Sequence, residues 1–262
     1  METLTESSPV SHNFVPQSLT MSHWVRHYRA NRLNRPEPDW NLPCSLPDDL
    51  RGQLAQSLSH FQLGETGGGT FLFKQAAPQC DADDLEALEM FVKEEAEHAR
   101  LLACLVKRLG GRLVKRHWTH RLFKLARRAG GFHFEIQMLL TAEIVGTAYY
   151  EMIAEGVKDA PVVETMNLML HDEASHVAFH LDRLKTCWRD WLPLERTAWE
   201  LQFQLLILAA CRAAWLDHGR CLRGFGFTWP EFQRRARRGT IRFLDGLRTA
   251  ACPRQKASLA TA

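Results

Sequence analysis

The chain has 262 residues, of which 45% are hydrophobic and 24% charged, and its formal net charge is +3. This size and composition suit one compact globular domain with short extensions, and they provide no overall charge argument for nucleic-acid binding. The seven cysteines are scattered and include no Cys-x-x-Cys pair. That pattern excludes a rubredoxin-like or zinc-ribbon module and is typical of reduced thiols in the cytoplasm.

Neither the N-terminal stretch nor the most apolar run of the sequence predicts export or membrane insertion. Its first residues, METLTESSPVSHN, lack the basic and apolar regions of a signal peptide. The most apolar run, LLILAAC at 205–211, is too short to span a bilayer. We therefore expect a cytoplasmic protein with no membrane association.

The predicted elements are helices separated by turn signals. Residues 1–17 are predicted as a loose tail and 18–33 as a short amphipathic helix, followed by a connector with four prolines at 34–49. Asp48 and Asp49 are placed to cap a helix that runs to about 76. Further helices are predicted at about 81–109, 132–156, 159–190, 194–222 and 229–249. No segment alternates with a period of two residues, so the predicted class is all-α.

Two Glu-x-x-His motifs lie in the predicted helices. Glu95 and His98 occur in FVKEEAEHARLL, and Glu173 and His176 occur in HDEASHVAFH. A spacing of three places the carboxylate and the imidazole on one helix face about one turn apart, where both can bind one metal ion. A single motif of this kind arises easily by chance, so its weight depends on partners elsewhere in the chain.

Two further glutamates supply such partners. Glu65 lies in FQLGETGGGTFLF and Glu143 in MLLTAEIVGTAYY, each among apolar or small residues. Each precedes the glutamate of one Glu-x-x-His motif by 30 residues, so the chain repeats a unit of lone glutamate, turn and motif. Two helices of ~25 residues joined by a short loop place such residues side by side. Four carboxylates and two imidazoles then converge, and this donor set suits a pair of iron or manganese ions.

With this repeat, the chain resembles the ferritin-like di-iron carboxylate superfamily over residues 48–190, and bacterial ferritin-like proteins of the oxygenase type rather than storage ferritins. The resemblance implies a ferritin-like four-helix bundle of two antiparallel helical hairpins. An N-terminal tail and connector (1–47) precede the bundle, and accessory C-terminal helices (191–262) pack on it. Six residues are implied as metal ligands, the first three for one metal and the last three for the other: Glu65, Glu95, His98, Glu143, Glu173 and His176. The resemblance further implies that two of the glutamates bridge the metals.

The resemblance also implies a function. It predicts an oxidoreductase that activates dioxygen or peroxide at two iron ions, or at a manganese–iron pair, to oxidise a small-molecule or acyl substrate. The implied partner is an electron donor such as a ferredoxin or flavoprotein, and a monomer or homodimer is expected. Two alternatives stay open: a ferroxidase or other iron-handling protein, and a bundle whose metal site is purely structural. The length of 262 residues favours the oxidoreductase, because storage ferritins are shorter four-helix chains that assemble into cages.

Several neighbours of the motifs have predicted roles through the same resemblance. In related bundles, the residue before the motif glutamate often hydrogen-bonds a ligand histidine on the opposite helix. Asp172 is therefore predicted to orient His98, and Glu94 to orient His176.

Thr147 is the candidate catalytic residue. It follows Glu143 by four residues and shares its helix face, where oxygen-activating relatives often keep a hydroxyl. The alternative is a hydroxyl bonded to its own helix backbone. Tyr150 is interpreted as a core aromatic, and His171 and His180 as mainly structural residues.

Two stretches of unusual composition remain. The glycines of GETGGG at 64–69 favour a functional cavity beside Glu65, with close helix packing or a widened helical turn as alternatives. The basic stretches 112–128 and 234–248 are interpreted as solvated faces. The alternative for them is a landing patch for an acidic carrier protein or for RNA.

Overall fold

A computed structural model describes residues 21–67 and 69–251, and every regular element within these ranges is an α-helix. The all-α prediction is therefore confirmed for this part of the chain. The predicted tail, and the first residues of the helix predicted at 18–33, lie outside the described residues. The helices are α1 (Met21–Leu33), α2 (Asp48–Glu65), α3 (Thr70–Ala76), α4 (Ala82–Arg108), α5 (Trp118–Arg127), α6 (Phe132–Gly156), α7 (Ala160–Asp190), α8 (Pro193–Gly224) and α9 (Trp229–Ala251).

Two helices begin where the sequence places an aspartate cap. The Asp81 side chain accepts a hydrogen bond from the backbone N–H of Asp84, and the Asp159 side chain accepts one from the backbone N–H of Val162. Each bond satisfies one of the amides that a first helical turn leaves unpaired. As a result, α4 and α7 start within a residue or so of their predicted positions.

The helix predicted from 48 to about 76 is wrong in two respects. Its N-cap is Pro47, and the two aspartates lie in the first turn instead, where their charge still favours the positive end of the helix dipole. The helix also divides into α2, which ends at Glu65, and α3, which begins at Thr70 after Gly69 in a left-handed conformation with φ 67°. A residue in this region interrupts the α-helical hydrogen-bond pattern, and glycine adopts it without a steric penalty.

Helix α5 was not predicted and lies inside the basic stretch 112–128. It is strongly amphipathic, yet none of its residues is fully buried. Its apolar side chains Trp118, Leu122 and Leu125 are largely exposed. The helix packs loosely against α2, α6 and α8, so it covers the molecule without belonging to the core.

The long helices pack as two pairs that meet. Helix α2 lies along α4, and α6 lies along α7; contact between α4 and α7 joins the pairs. Helix α8 lies against α6 and α2, and α9 lies against α7, α6 and α8, while α1 packs on α4. The largest fully buried side chains include Phe91, Tyr149, Phe179 and Trp188. Both Glu-x-x-His motifs lie where α4 meets α7.

No helix in the described ranges has both the length and the apolar composition that a membrane span needs.

Candidate metal centre

The two Glu-x-x-His motifs face each other across the contact between α4 and α7. One possible ligand atom from each of Glu95, His98, Glu173 and His176 lies within 4.8 Å of all the others. The arrangement is crossed: His176 Nδ1 lies 3.0 Å from Glu95 Oε1, and His98 Nδ1 lies 3.5 Å from Glu173 Oε1. Each imidazole therefore meets the carboxylate of the other motif as well as its own.

Glu143 joins this group from α6. Its Oε2 lies 3.6 Å from Nδ1 of His176, and its side chain is 6% exposed. The predicted position on the apolar face of a helix is thus buried, and the carboxylate is directed toward the two motifs.

Glu65 reaches the group from the last turn of α2. Glu65 and Glu95 are the least buried of the six predicted ligands. Its Oε1 accepts a hydrogen bond of 2.8 Å from the Tyr150 hydroxyl, and its carboxyl group interacts with that of Glu95. All six predicted residues therefore converge on one region, with Glu65 and Glu143 outside the tightest group. Tyr150 is a buried core aromatic as predicted, but its hydroxyl also positions a carboxylate, which the sequence did not indicate.

The buried carboxylates of this group repel one another unless some of them are protonated or a cation compensates their charge. Burial, followed by the Glu95 carboxyl, raises the pKa of Glu65 well above its usual range, and burial followed by Glu143 does the same for Glu173. Burial opposes a charged His176 ring, but the facing carboxylates of Glu143 and Glu173 raise its pKa. For Glu143, burial opposes ionisation, but Glu173 and His176 lower its pKa. Crowded buried carboxylates are unfavourable unless positive charge compensates them.

Several possible ligand atoms of this group have no hydrogen-bond partner, as expected of a site that could hold a metal ion. Within this centre, four buried atoms lack a hydrogen bond of acceptable geometry, although two of them lie 3.0 Å apart: Glu95 Oε1, His98 Nδ1, Glu173 Oε2 and His176 Nδ1. Buried polar atoms are normally paired, and four such ligand atoms around one point could hold a metal ion. Carboxylate oxygens and imidazole nitrogens are common ligands of divalent transition-metal ions, whose charge would compensate the buried carboxylates.

The outer nitrogens of both histidines are held by acids, as predicted. His98 Nε2 lies 3.0 Å from Asp172 Oδ2, and His176 Nε2 lies 2.9 Å from Glu94 Oε2. An imidazole that donates its Nε2 proton to a carboxylate keeps the lone pair on Nδ1, which is the atom directed at the centre. Both predicted pairings are confirmed.

Asn31 and Arg35 complete this outer layer and were missed by sequence reasoning. The Arg35 guanidinium lies 2.6 Å from Asp172 Oδ2 and 3.0 Å from Glu94 Oε1. The Asn31 amide donates hydrogen bonds of 2.6 Å to both carboxylates. No local pattern marks these two residues, because they belong to α1 and the connector, far from the motifs in sequence.

A cavity of about 450 Å³ lies beside the carboxylates, and all four site glutamates contribute to its lining. Its walls are mainly apolar and include Leu72, Phe91, Met138, Leu206, Ala210 and Ala213. Gly64, Gly67 and Gly69 line it as well. The cavity predicted beside Glu65 is thus present, and its size lies in the range of small-molecule pockets.

Thr147 is not among the residues that line this cavity. Its hydroxyl donates a hydrogen bond of 2.8 Å to the backbone carbonyl of Glu143, which is the alternative that the sequence left open. A role for Thr147 with dioxygen stays a prediction, without support from this geometry. His171 is exposed. His180 is fully buried among Phe91 and Phe179, burial lowers its pKa to about 3, and neither of its ring nitrogens has a hydrogen-bond partner. The structural roles of His171 and His180 stay predictions.

Comparisons with models of protein families, with curated proteins and with solved structures find no match to this chain.

Proposed function

We propose that the protein is a ferritin-like di-iron oxidoreductase that uses dioxygen or peroxide to oxidise an organic substrate held beside its metal centre. The observation that carries the proposal is the position of the four site glutamates on the wall of an apolar cavity of about 450 Å³. A purely structural metal site has no need of such a cavity. A ferroxidase needs a path for iron, for which an apolar lining offers few ligands.

The proposed metal ligands are the six predicted residues. When bound, a pair of iron ions supplies the oxidative chemistry with dioxygen that amino-acid side chains lack. The chain's own contribution is to orient the ligands: Asp172 and Glu94 hold the two imidazoles, and Tyr150 holds Glu65. The proposal includes an electron donor such as a ferredoxin or flavoprotein, because monooxygenation with dioxygen would require two electrons from outside the protein, whereas peroxide would bring its own oxidising equivalents.

The apolar walls of the cavity bind the proposed substrate and exclude water. Leu206 and Ala210 of α8 face the cavity together with Met138 of α6, and such a surface favours a hydrocarbon portion of a substrate. An acyl chain or another small apolar molecule therefore fits the cavity better than a sugar or nucleotide. The proposed substrate class is a small apolar or acyl compound.

Metal content tests the site. We expect about two irons per chain in the purified protein, as in other bundles with this ligand set. Glu173→Ala should lose at least one, because Glu173 is 2% exposed and faces both imidazoles. Glu164→Ala is the matched control, since Glu164 is an exposed acid on the same helix. Equal iron content in Glu173→Ala and the control would show that the ligand assignment is wrong.

A cavity-filling variant separates the oxidoreductase from the ferroxidase. Ala210→Phe places an aromatic ring in the cavity without changing a ligand. We expect it to keep its iron and its oxidation of ferrous iron by dioxygen, and to lose oxygen-dependent conversion of apolar test substrates such as fatty acids and aldehydes. If the wild-type protein oxidises added ferrous iron over many turnovers, consumes none of these substrates and elutes as a 24-mer, an iron-handling role is correct instead.

A further inference from the structure

A second cluster of metal-binding side chains lies along the same cavity, away from the six predicted ligands. It consists of His60 on α2, His117 immediately before α5, and Asp217 on α8, with one possible ligand atom from each lying within 4.8 Å of the others. Both His60 and the neighbouring His218 also line the cavity. These residues come from three separate segments, so no sequence motif marks them.

The geometry places both histidines on one carboxylate. His60 Nδ1 lies 2.8 Å from Asp217 Oδ1, and His117 Nδ1 lies 3.3 Å from Asp217 Oδ2. The two imidazole rings stack, with their centroids 3.8 Å apart. Donors bound to one tetrahedral ion at ~2.1 Å lie ~3.4 Å apart, so only a small outward shift of the side chains admits an ion between them.

Burial makes an ion favourable here. The Asp217 side chain is only 4% exposed, and the side chains of His60 and His117 are 11% and 16% exposed. The ion-pair partners of Asp217 in the described ranges are imidazoles, including His218 Nε2 at 3.5 Å. A buried carboxylate that faces several imidazoles offers a cation both charge compensation and nitrogen ligands.

The cluster also lies at the attachment point of α5. His117 precedes the first residue of that helix, and the Thr119 hydroxyl lies 2.7 Å from His117 Nδ1 and 3.3 Å from Asp217 Oδ2. Further along α5, Leu122 and Phe123 cover the cavity. No residue of α5 is fully buried. The contacts of its first turn with His117 and Asp217 therefore contribute strongly to holding the helix over the cavity.

We propose that His60, His117 and Asp217 bind one divalent transition-metal ion of the zinc class, which fastens α5 across the cavity. Two nitrogens and one carboxylate oxygen form a common zinc donor set that leaves a further position for water or Thr119. The ion would control access to the cavity by holding its cover in place. This site does not depend on the di-iron assignment.

Metal titration tests the site directly. After treatment with a chelator, the full-length protein is titrated with Co²⁺, whose visible absorption reports tetrahedral coordination, and then with Zn²⁺. We expect about three equivalents per chain, one of them tetrahedral. His117→Ala should lose the tetrahedral equivalent, and His120→Ala, on the same helix and outside the cluster, should keep it. Asp217→Asn, which preserves side-chain size, should lose it as well.

Two results keep this test separate from the test of the main centre. Glu173→Ala should lose equivalents from the main centre and retain the tetrahedral one. If only His117→Ala and Asp217→Asn change the titration, the second site stands and the di-iron proposal fails. If His117→Ala and His120→Ala bind Co²⁺ equally, the cluster is a hydrogen-bonded network only and the second site is refuted.

Limited proteolysis tests the fastening of α5. The helix and its flanks carry several trypsin sites, including Arg116, Arg121 and Lys124. If opening of α5 breaks the metal site, Zn²⁺ at ten times its Kd should slow cleavage in this segment about tenfold. The protection should be absent in His117→Ala and present in His120→Ala. Equal cleavage rates of the wild-type protein with and without Zn²⁺ would refute a fastening role.

Discussion

Arg35 is the residue whose removal most directly tests how the outer layer of the metal centre is built. Its guanidinium contacts Asp172 and Glu94, and the side chains of all three are at most 9% exposed. Arg35→Ala leaves two carboxylates buried without their cation. Removing one partner of a buried ion pair destabilises a protein by ~3–5 kcal/mol.

The lower end of that range is expected here. Asn31 continues to donate hydrogen bonds to both carboxylates, and each carboxylate keeps its histidine partner. We therefore expect the free energy of unfolding of Arg35→Ala to fall by ~3 kcal/mol at pH 7, or about two powers of ten in the folding equilibrium. Loss of orientation of the two imidazoles should also weaken metal binding by ~10-fold.

Urea unfolding of the chelator-treated protein measures the stability effect, with Arg29→Ala as control. Arg29 pairs with Glu86 on the surface, where the two side chains are 61% and 38% exposed, so its loss should change stability by less than ~1 kcal/mol. If Arg35→Ala is no more destabilising than Arg29→Ala, the buried ion-pair argument is refuted.

The pH dependence gives an independent check. Burial acts to raise the pKa of Asp172, but its hydrogen bond with His98 and the charge of Arg35 hold that pKa well below its usual range. A carboxyl with a lowered folded-state pKa contributes stability above its ordinary value near ~3.9, and this is lost as pH falls through the lowered pKa. In Arg35→Ala the Asp172 pKa moves back up. The difference between the two proteins should therefore be largest near pH 7 and shrink below about pH 4.

Other substitutions and conditions test neighbouring features. Gly69→Ala should lower the free energy of unfolding by at least ~1–2 kcal/mol, because φ is 67° and a Cβ would lie 2.8 Å from an aromatic carbon, whereas Gly67→Ala, with nothing within 4 Å of its Cβ, should change it little. In the metal-free protein, the raised pKa values of Glu173 and His176 contribute stability at low pH that is lost as pH rises through them. Thermal unfolding of the metal-free protein should therefore give a lower Tm at pH 8.5 than at pH 5.5. A higher Tm at pH 8.5 would contradict the raised pKa values of Glu173 and His176. Iron loading should remove the decrease in Tm, since metal binding strengthens with pH. Thr147→Val should keep both iron and turnover, and lost turnover with normal iron would give its hydroxyl a role in the reaction.

The features that follow from local spacing could be predicted from the sequence. Caps at Asp81 and Asp159 depend on a few adjacent residues, and so does the one-turn spacing of each Glu-x-x-His motif. These signals are short-range, so one sequence is enough to recognise them. The pairing of Asp172 with His98 joins residues 74 positions apart, and it was predicted only through the resemblance to related bundles.

The features that were missed depend on contacts between distant segments. Arg35 contacts Glu94 and Asp172 across 59 and 137 positions, and His60 contacts Asp217 across 157. From the sequence alone, an arginine in a proline-rich connector cannot be distinguished from a surface cation. The break at Gly69 was missed for a different reason: glycine inside an apolar stretch lowers helix propensity but does not specify where the chain turns.

The crossed arrangement of the two motifs has a consequence for how the proposed metal site would be filled. Since His98 meets Glu173 and His176 meets Glu95, neither half of the chain offers a complete set of ligands by itself. During synthesis α4 emerges well before α7, so a nascent chain cannot hold a metal pair until the second half has been made and docked. If the site binds metal as proposed, metal binding would require completed assembly of both halves.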